Sequence, residues 1–393
     1  MEEVDFPSFS ALLSTTATLL LVMVLIKRSL AAKERRNLPP SPWKLPIIGN
    51  MHQMRGGRPP HQILRDLARK HGPNLLHLRL GQVDHLVVSS AEAAKEVLHT
   101  QDTNFASRPK LMAPFILFDD NSSIGFAPYG TYWRQLRKIC TLELLSARRV
   151  KAFGPVREEE ISRLLRTIRS ECRSGTSPIN LTNMLQVLSS TIFARTAFGA
   201  ESKHTERFVN GVLKDAFTFL NGMNLSDVFP SLGFVDVVSG VSSSIKKVRR
   251  QADVVLDAII EEHQSKRRHG QGDEDNHDLV DILLGIQEKG GLDVPLTMGN
   301  LKAVILEMFL AGVESTSSTV TWSMAELMKR PSEMKKVQSE VREALKGKEK
   351  IEDSDMERLH YMNLVIKETL RLHPIGPLLL PRVCSESCRV LGY

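Results

Sequence analysis

Ala311-Gly312-Val313-Glu314-Ser315-Thr316 interrupts a long apolar run and decides how the fold is interpreted. The run has helical periodicity over residues 299–328, which predicts one helix about 45 Å long that is buried on most sides. Glycine inside a helix costs on the order of 1 kcal/mol relative to alanine, so the pair Ala311-Gly312 predicts a close approach by another group. A buried carboxylate is expensive unless it is used, so Glu314 beside Ser315 predicts a chemical role.

A second predicted helix, residues 362–373, places Glu368 and Arg371 on one face, because they are three positions apart. Such a pair is very often a surface salt bridge of little energetic value. The apolar neighbours Leu364 and Leu370 favour a mostly buried helix instead. Glu314 also has two interpretations: it is either an acid that takes part in proton transfer or a solvated residue in an ordinary polar patch.

Two further places carry hydrogen-bond donors that suit a carboxylate. Trp133 and Arg137 are four positions apart on a helix predicted over residues 132–145, so they share one face. An indole N–H and a guanidinium both donate hydrogen bonds and accept none. Arg382 follows Leu380-Pro381 near the end of the sequence. Either arginine taken alone is more often a surface charge.

In this order the stretches resemble the cytochrome P-450 family, and most of all its plant microsomal branch. The resemblance covers essentially the whole chain and implies a mainly α fold with small β-sheets. It places dioxygen beside Ala311 and Gly312, and it makes Glu314 and Ser315 a proton relay. It also implies that Trp133, Arg137 and Arg382 contact the propionates of haem b, and that Glu368 and Arg371 form a structural pair near the haem. Family members usually have threonine where this chain has Ser315, which keeps the hydroxyl.

The N-terminus predicts a membrane anchor. Residues 6–26 are apolar, an acidic start precedes them, and lysine and arginine follow them, so the protein is expected to span the endoplasmic reticulum membrane once with its domain in the cytosol. A cleaved signal peptide fits less well, because it begins with basic residues. We therefore expect an anchor at residues 1–28, a basic and proline-rich hinge at 29–50, and a catalytic domain at 51–393.

Composition excludes little, but it argues against a nucleic-acid partner. Hydrophobic residues make up 42% of the sequence, the net charge is +7, and only 6% of residues are aromatic. No basic stripe is interleaved with aromatic residues, so no nucleic-acid surface is expected. The two early cysteines are isolated, which indicates a reducing compartment rather than a disulfide framework.

Most of the remaining sequence has helical periodicity. Strands are predicted at residues 75–80 and 86–90, and an irregular loop at 111–129, which in the family helps to shape the substrate pocket. The apolar stretch 225–235 fits either the core or a contact with the membrane surface, and the resemblance favours the membrane. Further helices are predicted at residues 63–71, 91–100 (capped by Ser90), 156–172, 182–196, 205–220, 242–269, 278–287 and 332–345.

The family holds haem iron through a cysteine thiolate. Its ligand loop has phenylalanine, glycine and arginine at fixed positions before that cysteine and glycine after it. None of the four cysteines has these neighbours in this sequence: Cys140, Cys172, Cys384 and Cys388. The axial cysteine is therefore expected beyond Tyr393, so that the sequence is predicted to be truncated at its C-terminus. The protein as given is then predicted not to form a thiolate-ligated haem and to be inactive.

Two functions follow from the resemblance. The first is a haem-thiolate monooxygenase that inserts one oxygen atom from dioxygen into a lipophilic secondary metabolite, with a slight preference for a terpenoid. Its electrons are expected from NADPH through NADPH-cytochrome reductase, and its other partner is membrane lipid. The alternative is a non-catalytic truncated remnant or isoform that cannot ligate haem iron.

Overall fold

The structure is a computed structural model that describes residue 18 and residues 37–174, 178–199, 208–220, 222–269, 278–348 and 353–393. The predicted anchor, residues 1–28, lies outside these ranges except for Thr18. In the described part, one helix is long and apolar enough to cross a membrane, Met298–Lys329, and 56% of its most apolar window is buried inside the protein. Core helices of soluble domains have the same properties.

Helices form most of the described residues, and one small sheet joins two neighbouring strands. The elements, in sequence order, are α1 Pro60–His71, β1 Leu75–Leu80, β2 Val83–Val88, α2 Ala91–Lys95, α3 Met112–Leu117, α4 Thr131–Ile139, α5 Ala147–Ala152, α6 Gly154–Ser174, α7 Leu181–Phe198, α8 Lys214–Leu220, α9 Leu225–Val228, α10 Gly233–Val238, α11 Val241–Arg268, α12 Leu279–Lys289, α13 Met298–Lys329, α14 Pro331–Ala344, α15 Asp353–Met356 and α16 His360–Leu372. Turns of π-helix follow α2 and α4 and precede α8, and single 3₁₀ turns lie at Met51–Met54 and Pro230–Leu232.

Several helices begin with a side chain that satisfies one of the first free N–H groups of the helix. Thr297 begins α13 in a capping box with Asn300, in which each side chain accepts from the other residue's backbone. Asp278 caps α12 by accepting from the Asp281 N–H, and Ser90 caps α2 as the sequence predicts. Residues 37–44 of the predicted hinge have no regular secondary structure, and the hinge itself stays a prediction.

Contacts divide the protein into two compact units. Within the described residues, the first consists of Thr18 and residues 37–79, 84–100 and 388–393. Its small apolar core is formed by Ala68 of α1 with Leu76 and Leu78 of β1. Because β1 has its apolar side chains in this core, the strand predicted at residues 75–80 is confirmed with the same bounds.

The second unit, Leu80–Val83 and Gln101–Ser387, has the main core. Helices α3, α4, α7, α11, α12 and α13 supply its buried side chains. At its centre, Phe309 of α13 contacts the rings of Phe193, Phe198 and Phe208, with centroids 4.7, 5.7 and 5.0 Å away. Aromatic pairs at such distances add to the free energy of burial. This cluster fixes α13 in the middle of the unit.

The prediction of an irregular loop at residues 111–129 is partly wrong. Helix α3 forms within it, and Ala113, Pro114 and Leu117 of this helix are buried. The Leu117 carbonyl accepts a hydrogen bond from Arg249 Nη1 at 2.7 Å. The short apolar run 111–118 thus forms a helix of fewer than two turns, and Arg249 of α11 satisfies a carbonyl at its C-terminal end. The rest of the stretch remains without regular structure.

The stretch 225–235 is not core throughout. Val228 and Phe229 are buried, but Phe234 and Val237 are each 63% exposed and Val238 is 82% exposed. The polar contact in its interior joins the Ser226 N–H to Asp236 Oδ2 at 2.7 Å. An apolar outer surface over a hydrogen-bonded interior is consistent with a membrane contact, which stays a prediction.

Candidate active site

Helix α13 changes character at the Ala311-Gly312 pair. Before Ala311, most side chains are buried, among them Leu306 and Phe309. From Ala311 onward only Val313, Ser317 and Leu327 are buried among the helix residues. The predicted burial on most sides therefore holds for the first half of the helix alone. The second half presents Ala311 and Glu314 as exposed residues.

A close approach does occur at Gly312, and the approaching group is an aromatic ring. A Cβ at Gly312 would lie 3.0 Å from Cε2 of Phe193 on α7. Real Cβ atoms seldom have such close neighbours, so glycine allows α7 and α13 to pack at this spacing. Sequence reasoning did not identify Phe193, because nothing in the sequence pairs that position with Gly312. The expected place of dioxygen beside this pair stays a prediction.

The hydroxyl of Ser315 is tied to its own helix. Ser315 Oγ donates to the Ala311 carbonyl at 2.7 Å, and Thr319 repeats this bond one turn later with the Ser315 carbonyl. Such bonds to the i−4 carbonyl relieve serine and threonine of a free donor inside a helix and often bend it. The lone pairs of Ser315 Oγ remain able to accept a hydrogen bond.

Glu314 is solvated rather than buried, which corrects one expectation from the sequence. Its Oε1 accepts from Ser318 Oγ at 3.1 Å. The carboxylate lines a polar cavity of about 280 Å³. The other lining residues are Thr182, Gln186, Ser317, Ser318, Thr321 and Trp322. Because the helix turns by about 100° per residue, adjacent Glu314 and Ser315 point in different directions, and only Glu314 lines this cavity.

Trp133 and Arg137 are associated on α4 as their spacing predicts. The Arg137 guanidinium lies 5.4 Å from the centroid of the Trp133 ring, within cation–π range. The indole N–H, however, donates to the Ile124 carbonyl at 2.9 Å. In this structure the donor predicted to reach a haem propionate therefore holds the loop that precedes α4.

Arg382 belongs to a segment that pairs with a distant one. The Val383 N–H donates to the Ser107 carbonyl at 2.9 Å, and the Ser385 N–H donates to the Asn104 carbonyl at 2.9 Å. Arg382 Nη1 also donates to the Phe105 carbonyl at 3.0 Å. The pairing continues to Glu386, whose N–H donates to Asn104 Oδ1 at 2.8 Å.

Arg108 is a site residue that sequence reasoning missed. Its Nη1 donates to the carbonyls of Leu380 and Pro381 at 3.3 and 3.2 Å. Burial, and then the nearby charge of Arg382, lower the pKa of Arg108. Two guanidinium groups are thus close enough to repel each other. The surrounding segment 105–109 resembles a recurring family segment, and that resemblance was the available signal.

Ser107 connects this arginine pair to α4. Its carbonyl accepts from Val383, and its Oγ accepts from the Tyr129 N–H at 3.3 Å. The Tyr129 ring in turn lies 5.6 Å from the ring of Trp133. The structure therefore brings the predicted cofactor-binding residues Trp133, Arg137 and Arg382 into one connected region.

Glu307 is the second residue that sequence reasoning missed. It lies on α13, one turn before Ala311, and is only 8% exposed. Both carboxylate oxygens accept from the Gly125 N–H at 3.0 Å. Burial raises the pKa of Glu307 to about 7, although the Gly125 N–H acts in the opposite direction. The available signal was that Glu307 is the only charged residue in the apolar run 303–313.

The Glu368–Arg371 pair forms, but on the surface. Arg371 donates from Nε and Nη2 to the two carboxylate oxygens at 2.7 and 2.6 Å, and the hydrogen bond from Arg371 lowers the pKa of Glu368. The Arg371 and Glu368 side chains are 66% and 54% exposed. The prediction of a mostly buried α16 is wrong for the described residues, where Thr369 is the only buried residue of this helix. The leucines of α16 predict that the helix has an apolar face, but they do not show which other element covers that face.

The four cysteines have unlike surroundings. Cys140 is buried, and burial raises the pKa of its thiol to about 12, so a thiolate is strongly disfavoured there. Cys172 and Cys384 are exposed, and Cys384 Sγ donates to the Glu386 carbonyl at 2.9 Å. These surroundings give no reason to revise the sequence-based view that none of them is an axial ligand.

Among the described residues, His263, Asp278 and Asp281 come close enough together to suggest a metal site. Both ring nitrogens of His263 are already engaged, Nδ1 with the Ile259 carbonyl and Nε2 with Asp278 Oδ2, each at 2.7 Å. Both partners are acceptors, which favours the imidazolium, the form that donates from both nitrogens. An imidazolium has no free lone pair for a metal, so these contacts indicate an ion pair between α11 and α12.

Comparison with known proteins decides the family. A sequence model of the family described as Cytochrome P450 matches residues 39–393. The chain belongs to the cytochrome P450 family. It is 45% identical over 387 residues to premnaspirodiene oxygenase from Hyoscyamus muticus, an alignment that covers 98% of this chain and 76% of that protein. It is 44% identical over 365 residues to costunolide synthase from Cichorium intybus, covering 93% and 72%.

Solved cytochrome P450 structures confirm the fold. A zebra fish cytochrome P450 with progesterone superimposes with a TM-score of 0.71 at 24% identity, covering 86% of this chain and 76% of that one. A mainly helical cytochrome P450 with a small sheet is therefore the fold, as the sequence predicts. The relatives are named as oxygenases and synthases, which favours the oxidoreductase interpretation over a non-catalytic remnant.

Proposed function

We propose that this cytochrome P450 inserts one oxygen atom from dioxygen into a terpenoid, using haem b and electrons passed from NADPH by a membrane-bound reductase. The similarity to premnaspirodiene oxygenase and costunolide synthase supports the terpenoid class. The single structural observation that carries the proposal is the connected region of cationic donors around Ser107.

The donor set fits the carboxylates of a haem. Arg108 and Arg382 lie close enough for one charge to lower the pKa of the other, so the pair favours an anionic partner. Arg137 adds a third guanidinium on the exposed side of Trp133. Guanidinium groups bind carboxylates through two parallel hydrogen bonds. We therefore assign the two propionates to Arg108, Arg137 and Arg382. Trp133, whose single N–H donates to the Ile124 carbonyl, would support Arg137 through its ring.

The haem, when bound, supplies the activation of dioxygen, which the side chains of the protein do not perform by themselves. Cleavage of dioxygen consumes two protons. Glu314 is placed to take protons from solvent, since it lines a polar cavity with Ser318. Ser315 is placed to hold a proton donor in position, because its hydroxyl is oriented by the Ala311 carbonyl.

We also propose that none of the four cysteines of this sequence is the iron ligand. Their neighbours do not match the family's ligand loop, and Cys140 has a thiol that resists ionisation. The test is a haem titration of the purified protein, followed by the spectrum of the reduced carbon monoxide complex. A thiolate-type spectrum that disappears in one of the four cysteine-to-serine variants would identify a ligand and overturn this proposal.

Membrane attachment through residues 1–28 in the endoplasmic reticulum is part of the proposal, as is the contact of Phe234 and Val238 with lipid. Their exposure in the described structure supports that contact, since large exposed apolar groups often mark membrane or partner sites. Removing residues 1–28 while changing Phe234 and Val238 to serine is expected to release the protein from microsomes. Removal of residues 1–28 alone is the control, and full release in that control would exclude a second contact.

The activity test uses the protein expressed from its own transcript in yeast microsomes together with a plant reductase. Terpenoid hydrocarbons, phenylpropanoids and alkaloids are supplied in parallel, and products are identified by mass spectrometry with labelled dioxygen. Incorporation of one labelled oxygen atom into a terpenoid supports the proposal. Oxidation of another class alone would overturn the substrate assignment, and no NADPH-dependent product would favour the non-catalytic alternative.

A further inference from the structure

One peptide group in the loop before α4 is held from both ends. The N–H of the Ile124–Gly125 peptide donates to both carboxylate oxygens of Glu307 at 3.0 Å. The C=O of the same peptide accepts from Trp133 Nε1 at 2.9 Å. A peptide group is planar and rigid, so fixing one end fixes the direction of the other. The carboxylate on α13 thereby orients the indole on α4.

We propose that Glu307 is a positioning residue that sets the orientation of Trp133 through the Ile124–Gly125 peptide. Its importance for catalysis rests on the cofactor-binding role proposed above for Trp133. The coupling between Glu307 and Trp133 rests only on the contacts of three groups, namely the Glu307 carboxylate, the Ile124–Gly125 peptide and the Trp133 indole N–H. Glu307 is not a catalytic residue in this scheme, because it acts through the loop.

The surroundings of Gly125 show that the contact is built into the fold. A Cβ at Gly125 would overlap Oε1 of Glu307 and lie 3.2 Å from Leu380 Cδ1, so a larger residue there would displace the carboxylate from the peptide. Glu307 lies inside the main apolar half of α13, where an unused carboxylate would be costly. Because the Glu307 carboxylate is both buried and closely packed against Gly125, we expect it to have a structural role.

Other groups facing Glu307 define its electrostatics. Arg108 lies near it and stabilises the charged form. Tyr132 on α4 and the buried thiol of Cys140 in the turn that follows also face it. Burial, with a smaller contribution from Glu307, raises the pKa of each of these two groups to about 12. Both are therefore neutral near pH 7, and Asp119 acts on Tyr132 as well. The Ser123 hydroxyl lowers the pKa of Glu307, yet Ser123 Oγ makes no hydrogen bond of good geometry in the described structure.

The charge of Glu307 is expected to strengthen the hold on the peptide. An ionised acceptor makes a stronger hydrogen bond than a neutral one. Because the pKa of Glu307 is raised to about 7, its carboxylate gains this charge as pH rises through neutrality. The orientation of Trp133 should therefore become more tightly fixed at higher pH, and E307Q should abolish that dependence.

The test labels the indole nitrogens and follows their NMR signals and hydrogen exchange. The protein has three tryptophans, Trp43, Trp133 and Trp322, so the other two serve as internal controls. E307L is expected to shift the Trp133 signal and to speed its indole exchange by about tenfold, which corresponds to one lost charge-assisted hydrogen bond. E307Q should retain most of the protection but lose its pH dependence. G125A should behave like E307L.

G130A is the matched control, since a Cβ at Gly130 has no neighbour within 4 Å and φ there is extended. It should leave all three indole signals unchanged. If E307L leaves Trp133 exchange unchanged, or shifts all three signals together, the proposal is overturned. A pH profile of the wild-type protein identical to that of E307Q would overturn it too.

A separate measurement distinguishes failure of the coupling from failure of the proposed function. W133F is compared with the unchanged protein for haem content and spectrum in the holoenzyme. If W133F binds haem normally while E307L still frees the indole, the coupling stands and the cofactor role of Trp133 fails. If W133F loses haem while E307L leaves the indole unmoved, the proposed function stands and the coupling fails.

Discussion

Phe193 and Gly312 are packed so closely that a methyl group at position 312 would require the ring to shift: a Cβ there would lie 3.0 Å from Cε2 of the ring. The ring is also in contact with Phe309, at a centroid distance of 4.7 Å, so it has little freedom to withdraw. The helix crossing of α7 and α13 is therefore set by the absence of a side chain at position 312.

Replacing Gly312 by alanine tests this crossing. Alanine favours the helix by about 1 kcal/mol, but overpacking of a well-filled core costs typically about 1–3 kcal/mol. We expect G312A to be destabilised overall, as measured by urea unfolding. The double variant G312A/F193L should recover stability relative to G312A, because leucine lacks the ring edge. A G312A protein more stable than the parent would show that the ring moves aside freely.

Ser315 is expected to act through its hydroxyl alone. S315T keeps the hydroxyl, whereas S315A removes it and its bond to the Ala311 carbonyl. We predict that S315T retains product formation, and that S315A lowers it on the order of 10²-fold, the usual effect of one proton-transfer group. The measurement is product formed per NADPH consumed. Equal ratios in both variants would remove Ser315 from the proton path.

His263 should make stability depend on pH. Burial alone would lower the pKa of His263, but the hydrogen bond and charge of Asp278 outweigh it and raise the pKa above its ordinary value. The folded protein then binds this proton more tightly than the unfolded polypeptide. The stabilisation is fully present below the unfolded pKa, near about 6.5, and is lost as pH rises through the folded value.

Urea unfolding from about pH 5.5 to about pH 8.5, the range around the unfolded histidine pKa, compares the parent protein with H263Q. The stability difference between them should be largest at low pH and shrink as pH rises. D278N should resemble H263Q at low pH, since it removes the charge that holds the imidazolium. A difference that grows with pH would mean that His263 is buried as the neutral ring.

The Glu368–Arg371 pair provides a contrast between surface and structural roles. Both side chains are more than half exposed, and water screens such pairs strongly. We expect R371A, E368A and the double variant of this protein to unfold at nearly the same urea concentration. If either single variant no longer yields soluble protein, and added salt does not restore its solubility, the pair is structural, as the family resemblance implies.

Sequence periodicity predicted the long helices well because each has a regular apolar face. Helix α11 was expected at residues 242–269 and is Val241–Arg268, and α13 was expected at 299–328 and is Met298–Lys329. Periodicity could not locate α3, since two turns are too short to show a period. It also could not show that α16 exposes Leu364, because covering an apolar face depends on elements distant in sequence.

The site was predicted unevenly for the same reason. Trp133 and Arg137 could be paired because a helix fixes their spacing, and their association is confirmed. Arg108 and Glu307 were missed because their roles come from tertiary neighbours more than 100 positions away, Leu380 and Gly125. For Glu307 an isolated charge in an apolar helix was a usable warning, and it should be weighted more heavily in similar sequences.

The pairing of Asn104 with Glu386 has a consequence for how the protein is made. The two residues are 282 positions apart in sequence. A ribosome adds about 5–20 residues per second, so Asn104 waits on the order of tens of seconds before its partner is synthesised. During that interval the backbone of residues 104–107 has no strand to pair with and is open to chaperones or to a neighbouring polypeptide. Completion of this edge therefore has to wait until residue 386 and all the helices that precede it have been synthesised.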